Sequence, residues 1–336
     1  MVEYLVGLQA QDVLPPFVGL WNRIEGFDPA AVSAGLSDRS LARLTLMRGT
    51  IHLVTARDAV RIAPHIQPEL EKVPFRKGFY FGETVGLDPE EVRAHGERLV
   101  GAEPVTTAQL RAHAARLWPD RKPAAVVQAW LYQLAVLQVP PRGMWGHNER
   151  PSWARIEPWL GLALDREYPR AELLARYLAA FGPASTMDMQ TWSRFTGLKP
   201  DVDSLGDRLR RYTDERGRTL YDLADAELAD PDLPAPARLL GWYDNVFLSH
   251  QDRTRIVPAT SVYKPDLRAY EAPFLVDGFA AGTYRIERTS DTAQLVLRPS
   301  RALNRRESAE LTAEADRLLA FVEPDRARTV VQKPPE

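Results

Sequence analysis

The sequence predicts a mainly helical α+β protein made of three tandem winged-helix units and a small β-rich C-terminal element. The first 236 residues alternate helical segments with short hairpin signals three times. The order helix, helix, helix, hairpin is that of the winged helix, a variant of the helix-turn-helix motif. The last hundred residues differ, with two alternating strands followed by an amphipathic helix. We therefore expect winged-helix units at 1–85, 86–165 and 166–236, and the closing element at 237–325.

In the first unit, residues 1–10 resemble part of a first helix, which the start of the chain would leave incomplete. Asp28 is a suitable N-cap for a second helix, with Pro29 in its first turn. Residues 40–47 are expected to form a third helix, and residues 48–54 to begin the β segment of the wing. A helical scaffold with incidental hairpins remains the alternative to this winged-helix interpretation.

The second and third units begin with matching signals. Each unit has a hydroxyl residue at a helix N-cap. Gln109 lies three residues after this N-cap in the second unit, and Asp188 lies three residues after it in the third. This spacing is close to a capping box, which satisfies free N–H groups at a helix start. The elements expected to follow are helices at 124–135 and around 204–211, and hairpins at 137–145 and 211–221.

The closing element is expected to combine a small sheet with one helix. Residues 279–288 and 292–298 alternate like paired strands. Residues 307–322 carry apolar side chains at helical spacing. The last residues, 326–336, contain a Pro-Pro pair and are expected to fray.

The composition excludes several classes of site. The 336 residues carry a formal net charge of −2 and contain no cysteine, which rules out disulfides and thiolate metal sites. The N-terminus lacks the regions of a signal peptide, and no segment approaches the roughly 20 apolar residues of a membrane span, so we expect a cytoplasmic protein. A net charge near zero gives no overall attraction to DNA, and nucleic-acid binding would need a local basic face.

Gln9 and Gln11 are the most informative pair of side chains. They follow an apolar run and precede Pro15 and Pro16, so a first helix is expected to end near them. In an extended or unwinding segment, residues two apart point the same way, and the two amides could then face one cleft. An amide can hold a water or a developing charge without exchanging protons. The alternative is an ordinary helix end with two solvated glutamines.

Motifs for other kinds of chemistry are missing from the sequence. The six histidines are isolated from one another, and neither a phosphate-binding glycine loop nor a Gly-x-Ser-x-Gly element occurs. We therefore expect no metal and no cofactor. Paired carboxylates remain open, because their pairing would be spatial.

Arginine and aromatic residues mark candidate DNA contacts on the wings. Arginine suits phosphates and base edges, while tryptophan can stack on bases. For the second wing, the alternative is a tryptophan that packs on its own domain. For His250 and Arg253, the alternative is a solvated loop. The candidates are Arg48 and His52 on the first wing, Arg142 and Trp145 on the second, Arg216 on the third, and His250 and Arg253 after an apolar run.

Four motifs lie in order along nearly the whole chain: GLQAQD at 7–12, LMRGTIHLV at 46–54, PRGMWG at 141–146 and SHQDRTRI at 249–256. Their combination resembles the AlkZ-like family of bacterial winged-helix DNA glycosylases. The resemblance implies three winged helices in a C-shape around DNA, followed by a β-rich element. It also implies a catalytic signature of Gln, a hydrophobic residue and Gln, which falls here on Gln9 and Gln11.

By the same resemblance, the expected reaction is hydrolysis of the N-glycosidic bond of alkylated purines of the N7-alkylguanine type, or of interstrand-cross-linked purines. The implied partner is double-stranded DNA carrying such lesions, and the protein would act as a monomer near the nucleoid. Two readings from another class remain open. One is a non-catalytic winged-helix regulator, and the other is a shield that binds a genotoxin adduct without hydrolysing it.

Overall fold

A computed structural model describes residues 1–77, 81–258 and 271–335 of the chain. Its architecture is α+β, as the sequence predicts. Contacts divide the chain into two units, each built from two segments. Unit 1 comprises residues 1–14 and 28–224, and unit 2 comprises residues 15–27 and 225–336. The finer boundaries near 85, 165 and 236 stay predictions, as does the division into three winged helices.

The described helices are α1 (Leu14–Trp21), α2 (Pro29–Ser37), α3 (Ala56–Leu70), α4 (Phe81–Thr84), α5 (Pro89–Leu99), α6 (Thr107–Leu117), α7 (Pro123–Gln133), α8 (Ile156–Leu160), α9 (Arg170–Phe181), α10 (Thr186–Ser193), α11 (Lys199–Ser204), α12 (Asn245–Leu248) and α13 (Arg305–Val322). The described strands are β1 (Leu8–Gln9), β2 (Leu41–Thr45), β3 (Ile51–Thr55), β4 (Val105–Thr106), β5 (Val136–Val139), β6 (Ser152–Arg155), β7 (Leu209–Thr213), β8 (Thr219–Leu223), β9 (Arg238–Leu239), β10 (Ala272–Val276), β11 (Phe279–Arg288), β12 (Thr292–Pro299) and β13 (Ala327–Gln332).

Unit 1 is organised around a six-stranded sheet with the order β1-β3-β2-β5-β6-β4. This sheet joins strands from the first two expected winged-helix units. Helices α3, α9 and α10 cover it and bury a common apolar core. Within that core the rings of Tyr177 and Trp192 lie 4.9 Å apart between centroids. The separate hairpin β7-β8 completes the unit.

Unit 2 contains a five-stranded sheet with the order β13-β12-β11-β10-β9. Helix α1 joins this unit through residues near its C-terminal end. Asn22 donates to the Leu239 carbonyl, Arg23 forms an ion pair with Asp244, and the Trp21 ring stacks on Phe321 at 5.8 Å. Among the described helices of both units, none is long and apolar enough to cross a membrane.

Several elements confirm the sequence predictions. Asp28 caps α2, and both capping boxes form, with Thr106 bonded to Gln109 and Ser185 to Asp188. The third hairpin is β7-β8, the predicted C-terminal strands are β11 and β12, and the long helix is α13. Local capping and turn chemistry therefore located these elements correctly.

The N-terminal prediction is wrong. Residues 2–6 form turns, and Leu8 and Gln9 form the edge strand β1, which pairs with β3. The backbone of Gly7 has φ +96° and lies against Val54, so the chain bends into the sheet where a helix was expected. Pro15 and Pro16 do not end a helix but open α1, where a proline's missing N–H is tolerated.

Three further elements differ from the predictions. Residues 40–47 contain strand β2 and no α-helix, because β2 is an inner strand whose buried residues run consecutively. Around 204–211, α11 ends at Ser204 and β7 begins at Leu209. At the C-terminus, β13 pairs in parallel with β12 along residues that were expected to fray.

The second hairpin also differs in length. Strands β5 and β6 are joined by residues 140–151, a longer connection than the sequence suggested. We call these residues the second hairpin connection.

Candidate active site

Gln9 and Gln11 lie on an extended segment at the edge of the first sheet. Gln9 pairs with His52 across β1 and β3, and the N–H of Ala10 donates to the Ile51 carbonyl at 2.6 Å. Gln9 is only 5% exposed, whereas Gln11 is exposed. The segment around the pair is thus a strand edge and not a helix end.

Hydrogen bonds fix the direction of both amides. The Gln9 Oε1 accepts from Arg48 Nη2 at 3.1 Å, and the Gln11 Oε1 accepts from the Ile51 N–H at 3.1 Å. Both partners can only donate, so each oxygen must face its partner. Each oxygen keeps one lone pair, and neither Nε2 group is bonded within the described residues.

Arg48 is a half-buried cation that supports Gln9. Its backbone has φ +59°, and its Nη1 donates to the Trp192 carbonyl at 2.9 Å. Its Nη2 lies 3.2 Å from the His52 Nε2. Burial and the nearby Arg194 lower the pKa of Arg48 to about 10, so the group stays charged at neutral pH. Within the described residues its hydrogen bonds go to neutral acceptors only.

His52 is buried behind Gln9 and neutral. Burial, followed by the charge of Arg48, lowers the pKa of His52 to about 3. A neutral ring can then donate from Nδ1 to the Thr50 carbonyl at 2.9 Å and accept from Arg48 at Nε2. Only 2% of the His52 surface is exposed and both ring nitrogens have partners within the described residues, and its contact with DNA stays a prediction.

Arg43 is a further residue at this site, which sequence reasoning missed. It lies in β2, is 1% exposed, and donates from Nη2 to the Ala10 carbonyl at 2.8 Å. A weaker contact reaches the Gln138 Oε1 at 3.4 Å. Burial, and then the charge of Arg142, lower the pKa of Arg43 to about 10. The sequence carried a signal only if residues 40–47 were taken as a strand, where a charge among buried residues is unusual.

The second hairpin connection carries Arg142 and Trp145. The Arg142 Nη1 donates to the carbonyls of Asn148 and Glu149, which braces the connection. The backbone N–H of Trp145 donates to the Ser33 hydroxyl at 2.9 Å. Both side chains are half-buried, and their contact with DNA stays a prediction.

The remaining candidates occupy two other places. Arg216 is exposed in the turn of the third hairpin. His250 and Arg253 belong to unit 2, just after α12, and Arg253 is exposed. The His250 ring contacts the Ser249 hydroxyl and the Arg255 guanidinium. Of the residues predicted from sequence, the structure thus brings together Gln9, Gln11, Arg48 and His52.

Acidic residues and histidines do not gather at this site. In the part of the chain that the structure describes, no group of three or more such side chains could hold a metal ion. The functional groups at the site are the neutral amides of Gln9 and Gln11 beside the Arg48 cation.

Comparisons with known proteins assign the enzyme class. The Streptomyces sahachiroi DNA glycosylase AlkZ has a similar fold, with a TM-score of 0.73, 20% sequence identity, and coverage of 98% of this chain and 92% of that one. No curated protein matches the chain. A family model described as DNA glycosylase AlkZ-like matches residues 2–321. The protein is therefore a DNA glycosylase, a DNA-binding enzyme of DNA repair. It belongs to the AlkZ-like family.

Proposed function

We propose that this glycosylase hydrolyses the N-glycosidic bond of N7-alkylguanine-type purines and of interstrand-cross-linked purines, with Gln9 and Gln11 as its catalytic residues. The proposal rests on one observation above all. Two amides stand two residues apart on one strand edge, each with its oxygen held by a donor-only partner. A preorganised polar group of this kind can stabilise a transition state without reorganising during the reaction.

The proposed substrate explains why amides suffice. A guanine alkylated at N7 is already cationic, so the bond to C1′ breaks with its electron pair moving onto the base, which becomes neutral. The deoxyribose develops positive charge at C1′ and O4′, a water oxygen attacks C1′, and that water releases one proton to the solvent as the sugar hydroxyl forms. No acid is needed to protonate the leaving base. The tasks left for the protein are to place the water and to stabilise the sugar cation.

We assign the direct role to Gln11. It is exposed, and the bond from the Ile51 N–H leaves one lone pair of its oxygen able to accept a hydrogen bond from the attacking water. Gln9 is buried, and its oxygen faces the Arg48 cation, which makes it a poorer stabiliser of a second positive charge. We infer that Gln9 holds the end of the edge strand β1 next to Gln11, and that its Nε2 group is available as a hydrogen-bond donor.

The proposed partner is double-stranded DNA carrying the lesion, bound by one monomer of the protein. Arg142, Trp145, Arg216 and the pair His250 and Arg253 are the proposed contacts. Arg48 and His52 enter as supports of Gln9. The family assignment favours this enzyme over a non-catalytic regulator or shield.

The test is single-turnover release of N7-methylguanine from duplex DNA. We expect Gln11→Ala to lower the rate constant by about 100- to 1,000-fold, because a preorganised bond used only in the transition state is lost. DNA affinity should stay within about twofold. The matched control is Gln294→Ala in β12, which should excise at the wild-type rate. Wild-type excision by a Gln9→Ala and Gln11→Ala double variant would refute the catalytic assignment.

A further inference from the structure

Burial of the charged Arg43 side chain is unfavourable for the stability of the fold. It is 1% exposed, no carboxylate in the described ranges bonds to it, and its Nε has no hydrogen-bond partner. Asp12 favours its charged form electrostatically but makes no ion pair with it. A protein that buries a cation among neutral acceptors is less stable than one with an apolar side chain of similar size at that position. Fold stability therefore gives no reason for an arginine here.

The contact that Arg43 makes explains its presence better. Strand β1 ends at Gln9, so regular strand pairing does not fix the Ala10 carbonyl that follows. Two peptide planes connect Gln9 to Gln11. The plane containing the Ala10 N–H is held by the Ile51 carbonyl, and the plane containing the Ala10 carbonyl is held by Arg43 at 2.8 Å. Together these bonds fix both backbone dihedrals between the glutamines.

The second hairpin connection closes over the same guanidinium. A Cβ added to Gly143 would lie 2.2 Å from the Arg43 Cδ and 2.5 Å from its Nε. Gly143 also has φ +94°, a conformation that suits glycine. Only a glycine at this position leaves Arg43 where it reaches Ala10. The connection that carries Arg142 and Trp145 therefore also sets the position of the Gln9–Gln11 segment.

We propose that Arg43 is a positioning residue: seated beneath Gly143, it holds the Ala10 carbonyl and thereby sets the relative directions of the Gln9 and Gln11 side chains. The inference deepens the proposed function and rests on it. Arg43 does not touch the substrate, so its removal should slow the chemical step without weakening DNA binding.

The first test replaces Arg43 and measures the single-turnover rate constant at saturating enzyme. Arg43→Met should lower it by about 100-fold, the effect of misplacing a reacting group by about 1 Å. Arg43→Lys keeps a hydrogen-bond donor, so its rate constant should lie within about tenfold of the wild-type value. Affinity for undamaged duplex should not change. A protein that is merely part-unfolded keeps the wild-type rate constant here, because its folded fraction still occupies all the substrate.

The second test keeps the arginine at position 43 and displaces its side chain by changing Gly143. Gly143→Ala should lower the rate constant as Arg43→Met does, and the two changes together should lower it no further. The matched control is Gly146→Ala in the same connection. Gly146 also has a positive φ, of +77°, but a Cβ there meets nothing within 4 Å. It shares the backbone strain without the contact, so its rate constant should stay near wild type.

The outcomes separate the two proposals. If both glutamine variants are inactive while Arg43→Met excises at the wild-type rate, Arg43 has no positioning role and the proposed function stands. Equal losses in Gly143→Ala and Gly146→Ala would also overturn the role of Arg43, since strain alone would account for them. If the double glutamine variant excises normally, the proposed function itself fails.

Discussion

The two glutamines are chemically alike but differ in their surroundings. Gln9 is buried against a cation, and Gln11 is exposed and tethered to a backbone N–H. The cation Arg48 lowers the ability of the Gln9 oxygen to stabilise a second positive charge, whereas a backbone N–H carries no net charge. The environment, more than the residue type, thus divides the proposed roles between them.

His52 provides a prediction about stability and pH. Its folded-state pKa of about 3 lies well below the ordinary value of 6.5, so between these pH values the unfolded chain binds a proton that the folded protein does not. The contribution to stability is present above pH 6.5 and is lost as the pH falls. We expect the wild type to lose about 1.4 kcal/mol of unfolding free energy per pH unit relative to His52→Gln through this window.

The measurement is urea unfolding of both proteins at several pH values from 4 to 8. Carboxylates that titrate in the same window contribute to both proteins and cancel in the difference. Parallel curves with no pH-dependent difference would mean that the folded protein protonates His52 at the ordinary pKa, and the lowered pKa given to the buried ring would be wrong.

At the scale of elements, helix α10 links a cap to the candidate site. Its capping box starts at Ser185, and the carbonyl of Trp192 near its end accepts from Arg48. Ser185 is buried, and its hydroxyl lies 2.6 Å from the Asp188 carboxylate. The cap and the Trp192 acceptor therefore belong to the same eight-residue helix.

We expect Ser185→Ala to lower the free energy of unfolding by about 1–2 kcal/mol, because the buried Asp188 N–H loses its hydroxyl acceptor and the buried Asp188 carboxylate loses one of its donors. Thr106→Ala removes the equivalent cap of α6 at an exposed site, where water replaces the bond, and should cost about 0.5–1 kcal/mol. Chemical denaturation of both variants checks the order. A larger loss for Thr106→Ala would contradict the role given to burial.

Sequence reasoning succeeded where local chemistry decides the structure and failed where pairing between distant segments decides it. The Thr106 and Ser185 caps and the β7-β8 turn are readable because their partners lie within a few residues. Strand β2 was taken for a helix because an inner strand is buried on both faces and loses its alternation. That error also hid Arg43, whose position beside Ala10 depends on the pairing of β2 with its neighbours.

For the candidate site, the spacing of Gln9 and Gln11 was visible in the sequence, but their partners were not. The resemblance to a known family supplied their proposed role, and the bonds from Arg48 and Ile51 required the fold. The partners of His52 were hidden for the same reason, since its place opposite Gln9 depends on the pairing of β1 with β3.

At the scale of the whole molecule, the formal net charge of −2 sets a condition on DNA binding. Contacts with phosphates must come from local cations, and each neutralised phosphate adds about 0.9 to the slope of log affinity against log salt concentration. We expect affinity for undamaged duplex to fall steeply between 50 and 200 mM salt. Arg216→Ala should lower the slope by about one and weaken binding to all sequences alike.

Arg306→Ala is the matched control for that measurement. Arg306 is an exposed arginine of α13 that pairs with Glu310, and it is not among the proposed contacts. Its loss changes the net charge equally, so the slope should stay at the wild-type value. Equal changes in both variants would show a general charge effect, and a flat salt response of the wild type would contradict phosphate contacts altogether.

The two-segment composition of unit 2 has a consequence for synthesis on the ribosome. Helix α1 leaves the exit tunnel early, but the ring that stacks on Trp21 belongs to Phe321, three hundred positions later. At about 5–20 residues per second, the nascent helix waits about 15–60 s for this partner. A message cut short before that point yields a polypeptide in which Trp21, at the end of α1, lacks its Phe321 partner. Such products are natural substrates for chaperones and proteases, so only completed translation delivers a finished enzyme.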